Sequence, residues 1–298
     1  MATNGFTRRD VGFLSRGTRC AAWFYRPEGI DRPPVVVMAH GFAAEKSFGL
    51  SSFAERFAGD GMAVFVFDYR CFGESAGEPR NLVNPSRHLQ DWQSAIAHVR
   101  ALGEVDSRRI ALWGSSFAGG HVIVTASRDP GIRAIVAQVP FVDAWSSLGR
   151  FGPAYAARFT LAGIRDLFRI LTFRRPFTVP VVGDPGSLAC LPTADSKAAF
   201  FELLPEDSDW KNECPARIAF TMSSYRPIKA ASRVSCPALL VMAEKDSLID
   251  AKDVERTAAR MPKGKLVSMP IGHFEIYSGS GLEKALEIES GFLKEQLC

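Results

Sequence analysis

The apolar run 110–113 leads without a linker into Gly114-Ser115-Ser116-Phe117-Ala118-Gly119-Gly120, and helix-forming residues follow from His121. A strand that turns this abruptly into a helix needs small side chains, because helix and neighbouring strand must approach closely. Gly114 and Ala118 supply them on either side of Ser116. A serine in such a turn is held in a strained backbone conformation with its hydroxyl raised above the sheet, as a nucleophile requires. Ser115 is the alternative, but Trp113 and Phe117 would flank it. A phosphate-binding glycine turn fits poorly, since the P-loop lysine and the G-x-G-x-x-G spacing are both missing.

A serine alkoxide is inaccessible near neutral pH, so an imidazole must accept the proton. Five histidines compete. His88 and His98 lie on the helix before the turn, His121 inside the helix after it, and His40 in a glycine loop of its own. His273 remains, in Met269-Pro270-Ile271-Gly272-His273-Phe274 after the last predicted strand. A carboxylate must hold the imidazole tautomer. Asp246 is best placed, after the run 238–243; Glu244 competes with it, and Asp143, after the preceding strand, is a further candidate. The order Ser116, Asp246, His273 is one in which such triads occur. Charge developing on a carbonyl oxygen needs fixed donors. The N–H of Phe117, at a helix start, is one candidate, and that of Phe42, in His40-Gly41-Phe42, is the second. His40 reads as a residue shaping this loop.

The first third alternates short apolar runs with amphipathic stretches, the pattern of βα units feeding a mostly parallel sheet. Residues 35–39, 63–67, 110–113 and 132–138 read as buried strands, and 50–58 and 88–102 as helices, the second with Leu89, Trp92, Ile96 and Val99 on one face. Residues 8–15 and 18–25, separated by Arg16 and Gly17, read as an antiparallel hairpin at the sheet edge. The alternation resumes with strands 238–243 and 265–269 and helices 251–261 and 282–296. In between it breaks down into apolar helices, prolines and glycines, so the chain divides into a core of 1–139 and 236–298 and a helical lid insertion of 140–235. Within the insertion Leu161, Ile164, Leu167, Phe168 and Leu171 share one helical face and Arg158, Arg165 and Arg169 the opposite one, as in a lid helix over a cleft. Its aromatics, Trp145, Phe151, Tyr155, Phe159, Phe168 and Phe173, would serve equally as pocket lining or as lid core.

A net charge of +4, from 36 basic and 32 acidic residues, is too balanced for phosphate-backbone binding, so no nucleic-acid partner is expected. No apolar run reaches the roughly 18 residues of a membrane span, and the start lacks a secretory core, so no membrane partner and a cytoplasmic location are expected. Six scattered cysteines with no C-x-x-C pair suggest neither a disulfide framework nor a metal site. No cofactor is implied, and self-association into a homodimer is compatible with the sequence.

These residues resemble the α/β-hydrolase superfamily, in its serine-nucleophile branch, over nearly the whole length. The matching pieces are HGF at 40–42, DYRCFGES at 68–75, GSSFAGG at 114–120, the EKD ending at Asp246, and GHF at 272–274. MAHGFAAEK, FDYR-x-FGES-x-GEPR at 67–80 and VPFVD at 139–143 are similar to an intracellular subgroup that includes esterase-like proteins and fungal polyketide acyltransferases. The resemblance implies an α/β fold with a mostly parallel eight-stranded sheet flanked by helices. It implies a serine hydrolase that cleaves a small-molecule carboxylic ester or thioester through an acyl-enzyme, with Ser116, Asp246 and His273 as triad and the amides of Phe42 and Phe117 as oxyanion hole. Acyl transfer, or thioesterase action on an acyl carrier protein or coenzyme A thioester, is the alternative, for which the arginines of 150–175 offer anion contacts. A non-catalytic scaffold that keeps the fold is a third reading. Cys71 stands where the pattern has glycine, and is either a reactive thiol or a turn residue.

Overall fold

The computed structural model describes residues 5–298; residues 1–4, the start of the expected core range, lie outside them. Among the described residues the strands are β1 (Phe6–Ser15), β2 (Thr18–Pro27), β3 (Val35–Ala39), β4 (Ala63–Phe67), β5 (Ile110–Ser115), β6 (Ala134–Gln138), β7 (Thr178–Val179), β8 (Cys214–Pro215), β9 (Ala238–Ala243) and β10 (Gly264–Met269). The helices are α1 (Leu50–Gly59), α2 (Pro85–Ala101), α3 (Phe117–Ala126), α4 (Ala144–Gly149), α5 (Gly152–Leu171), α6 (Ser196–Glu202), α7 (Ile218–Met222), α8 (Ala251–Arg260) and α9 (Gly279–Leu297). Eight strands make one sheet in the order β1-β2-β4-β3-β5-β6-β9-β10. The β1–β2 hairpin is antiparallel and edges the sheet; the pairings from β4 to β10 are parallel. This is the α/β-hydrolase fold.

The period of two divides the strand side chains between two cores. Val35, Val37 and Ala39 face α2 and α3, while Val36 and Met38 face α1 and α9. Helix α2 buries Leu89, Trp92, Ile96 and Val99, as the spacing predicts. It starts three residues earlier than expected because Asn84 caps it, accepting from the Arg87 N–H at 3.1 Å, with Pro85 preset in the first turn. Strand β6 starts at Ala134 because residues before it close a turn, Ile132 N–H donating to Asp129 at 3.2 Å.

Helix α9 buries a costly polar group against the sheet. Glu289 of α9 is fully buried beside Trp113, whose Nε1–H donates to its Oε2 at 2.7 Å. Burial pushes the carboxyl up to about 8. The native state therefore holds a proton that the unfolded chain has released, and stability falls as pH rises from about 4.5 toward 8, with a slope approaching about 1.4 kcal/mol per unit. Glu289→Gln keeps an acceptor for Trp113 and removes the titration. Urea unfolding is expected to show the variant gaining on the parent between pH 5 and pH 8; a difference independent of pH would mean that Glu289 takes up no proton on folding.

Between β6 and β9 the chain forms α4 to α7 and the β7–β8 pair. Its orientation corrects one expectation. The face of α5 that packs inward carries Tyr155, Phe159, Ala162, Gly163 and Asp166, whereas Leu161, Ile164, Leu167, Phe168 and Leu171 are exposed. Asp166 is buried among its partners on this inward face. It accepts from Arg217 Nε at 2.6 Å and Nη2 at 3.1 Å, and from the Arg217 and Phe177 amides at 3.0 and 2.8 Å. Gly163 lets α7 close in, since a Cβ there would stand 2.7 Å from the Phe220 ring. Of the aromatics, Tyr155 and Phe159 are core, while Trp145, Phe168 and Phe173 are exposed.

Candidate active site

Ser116 sits between β5 and α3 at φ 55° and ψ −114°, a strained conformation for a residue with a Cβ. Its neighbours leave no alternative. A Cβ on Gly114 would lie 2.4 Å from the Ala118 carbonyl oxygen, and one on Gly120 would lie 2.3 Å from that of Phe141. Hydrogen bonds to the next strand and its loop hold the turn: Ser116 N–H donates to Gln138 at 2.8 Å, and the Ser116 carbonyl accepts from Phe141 N–H at 2.8 Å. The competing Ser115 points into the fold. Its buried Oγ accepts from Gln138 Nε2 at 2.8 Å and bonds the Tyr277 hydroxyl.

The three side chains singled out in sequence come together. His273 Nε2 lies 3.0 Å from Ser116 Oγ, and His273 Nδ1 lies 2.6 Å from Asp246 Oδ2. The other carboxylate oxygen accepts from the Leu248 and Ile249 amides, both at 2.8 Å, so the loop after β9 fixes the carboxylate plane. His273 and Asp246 are almost entirely buried, which strengthens their interaction. The rival acids are engaged elsewhere. Glu244 is exposed and accepts from Ser268 at 2.6 Å, and Asp143 forms a two-pronged pair with Arg226 at 2.7 to 3.1 Å.

Phe42 and Phe117 flank Ser116, their rings edge to face at 5.5 Å. Neither backbone N–H donates to an acceptor among the described residues. Gly41 brings the loop against the serine: a Cβ there would stand 3.2 Å from that of Ser116. His40 shapes this loop. It is buried, with Nδ1 3.0 Å from the Gly41 carbonyl, and burial pushes it down to about 4 although Asp68 pulls the other way. Asp68 closes the same loop by accepting from Lys46 N–H at 2.7 Å and Lys46 Nζ at 2.8 Å. His88 and His121 are also buried, their rings 3.3 Å apart at the nearest nitrogens, and burial lowers both.

Cys71 occupies a left-handed turn at φ 76°, which explains why glycine is the usual residue there. Burial raises its thiol, opposite to the shift of a reactive cysteine.

Two narrow cavities, of about 30 and 50 Å³, meet at Ser116. Phe42, Leu191 and Leu248 line both; Phe48 and Phe274 extend the first, Phe151 and Met222 the second. No Asp, Glu, Lys or Arg lines either one. Sequence reasoning missed Tyr277 and most of these apolar walls. They come from separate segments with no local pattern, and only Phe151 of the six insertion aromatics is among them.

The family model described as serine aminopeptidase, S33, matches residues 31–270. The chain is a member of this α/β-hydrolase family. Over 285 residues, 96% of this chain and 94% of its relative, the S33 protein is 35% identical to a quorum-quenching protein, AidA, of Acinetobacter baumannii. It is 25% identical to polyketide transferase af380 of Aspergillus fumigatus over 97% of this chain and 99% of that one. The crystal structure of the α/β-hydrolase GrgF from a Penicillium species superposes with a TM-score of 0.84 at 24% identity, covering 98% of this chain and 99% of that chain, a likeness of fold.

Proposed function

We propose that this S33-family protein is a serine hydrolase that cleaves a neutral carboxylic ester or thioester through an acyl-enzyme on Ser116. The observation that carries the reading is the relay in which Ser116 Oγ, His273 and Asp246 are spaced at 3.0 and 2.6 Å. In this reading His273 Nε2 takes the Ser116 proton as Oγ attacks the carbonyl carbon, and Asp246 stabilises the imidazolium at Nδ1. The unengaged amides of Phe42 and Phe117 receive the oxyanion; losing one such donor costs about 3 kcal/mol in the barrier. His273 returns the proton to the leaving oxygen or sulfur, and water, deprotonated by the same ring, releases the acid.

The uncharged walls support a neutral substrate with apolar groups on both sides of the carbonyl. An aminopeptidase must hold a free ammonium, and no carboxylate lines these cavities to do so. Transfer of the acyl group to an alcohol or amine is the second reading, favoured by the full-length match to a protein named polyketide transferase.

A fluorophosphonate probe is expected to label the native protein on the Ser116 peptide and to leave Ser116→Ala unlabelled; an unlabelled native protein would sink both readings. Turnover of p-nitrophenyl butyrate is expected to exceed that of leucine p-nitroanilide, and the reverse preference would restore the aminopeptidase reading. With an alcohol or amine added, partitioning of product toward the acceptor would replace hydrolysis by transfer.

A further inference from the structure

The outward stripe of α5 is unlike the rest of the surface. Leu161 is 66% exposed, Leu171 77% and Phe173 99%, with Ile164, Leu167 and Phe168 continuing the same face. Charge is concentrated on the same segment. Residues 150–175 hold six of the 36 basic residues and one of the 32 acidic ones, leaving 30 basic and 31 acidic residues in the remainder. The protein's excess positive charge therefore resides on this helix and its flanks. The lone acid, Asp166, is buried against Arg217 and offers no negative charge to the surface.

The end of the helix presents this face further. Phe173 N–H donates to Ile170 at 3.0 Å and Arg174 N–H to Arg169 at 2.8 Å, a turn whose left-handed position normally holds glycine. Here it holds phenylalanine at φ 53°, its ring in solvent, followed by Arg174 and Arg175. No contact among the described residues accounts for an aromatic at that strained position.

We propose that the outward face of α5 docks on an anionic lipid surface, with Phe168, Leu171 and Phe173 entering the headgroup boundary and the exposed Arg174 and Arg175 at its end meeting lipid phosphates. An exposed apolar stripe that ends in a pair of exposed arginines suits a helix lying in a membrane interface, where long basic side chains reach the headgroups. No helix among the described residues is long and apolar enough to cross a membrane, and a surface helix has no need to be. The expectation of no membrane partner rested on the lack of a spanning run and of a secretory core, neither of which bears on surface docking. Charge also separates this occupant from a second copy, because self-pairing through the stripe would bring two arginine-rich segments together, whereas an anionic surface neutralises one. The proposal is independent of the chemistry at Ser116.

Sedimentation with large unilamellar vesicles tests it, using phosphatidylcholine alone and phosphatidylcholine mixed with phosphatidylglycerol. The full chain is expected to bind the mixed vesicles, more weakly in high salt, and to leave phosphatidylcholine unbound. Leu171→Asp with Phe173→Asp is expected to weaken binding by about 100-fold or more. Arg174→Glu with Arg175→Glu should weaken it by about 30-fold or more. Both variants should keep their thermal midpoints, and Ser116→Ala should bind like the parent. Failure of the parent to bind the mixed vesicles would overturn the proposal. So would a dimer in sedimentation equilibrium that the Leu171 and Phe173 substitutions dissolve, which would assign the face to a second copy. A tight complex with an acidic carrier protein in place of vesicle binding would overturn it equally.

Discussion

Replacing Ser116 by alanine is expected to lower kcat/KM on p-nitrophenyl butyrate by about 100,000-fold, to the level left by binding and oxyanion stabilisation alone. The expectation is large because Ser116 has no substitute nearby. Ser115 is turned into the fold and bonded to Gln138 and Tyr277, so its hydroxyl cannot take over the attack. Ser115→Ala should therefore retain most activity. Residual turnover of Ser116→Ala within about tenfold of the parent would remove this serine from the chemistry. Its far-ultraviolet circular dichroism should match the parent, since only one oxygen atom is lost.

Asp246→Asn carries the second large effect, a fall in kcat of about 10,000-fold with little change in KM. The asparagine keeps the space but can present an amide N–H to His273 Nδ1. That favours the tautomer whose Nε2 carries a proton and cannot accept one from Ser116. Asp143→Asn is the control. It weakens the pair with Arg226 and should lower the thermal midpoint while leaving kcat within a few-fold, because Asp143 lies in that pair and not beside His273. Equal losses in the two variants, or a loss confined to Asp143→Asn, would reassign the acid.

Much of this architecture could be read before any coordinates. The β1–β2 hairpin follows from two alternating runs around Arg16-Gly17, and α2 from apolar residues at intervals of three and four. Those signals are local: neighbours in sequence are neighbours in space, and one period identifies one element. The turn at Ser116 is local too, because the steric demand that Gly114 and Ala118 meet arises within five residues. Asp246 and His273 are less so. Each was chosen by its place after a strand, and their approach to 2.6 Å depends on β9 and β10 lying side by side.

The α5 stripe marks the boundary of that reasoning. Periodicity establishes that Leu161, Ile164, Leu167, Phe168 and Leu171 share a face, but the face that packs inward is the other one, with Tyr155, Phe159 and an Asp166 that meets Arg217, 51 residues away. The inward face has an apolar set of its own in Tyr155, Phe159 and Ala162, and Asp166 can be buried with it because Arg217 and two amides satisfy the carboxylate. By itself, then, the sequence determined the α/β-hydrolase fold, the strained turn and the short set of residues from which a relay at Ser116 could be built. Only the tertiary structure decided that Ser115 turns inward, that Asp246 and not Glu244 or Asp143 meets His273, and that the cleft is walled without charge. Those outcomes rest on contacts between distant segments, whose geometry no local pattern encodes.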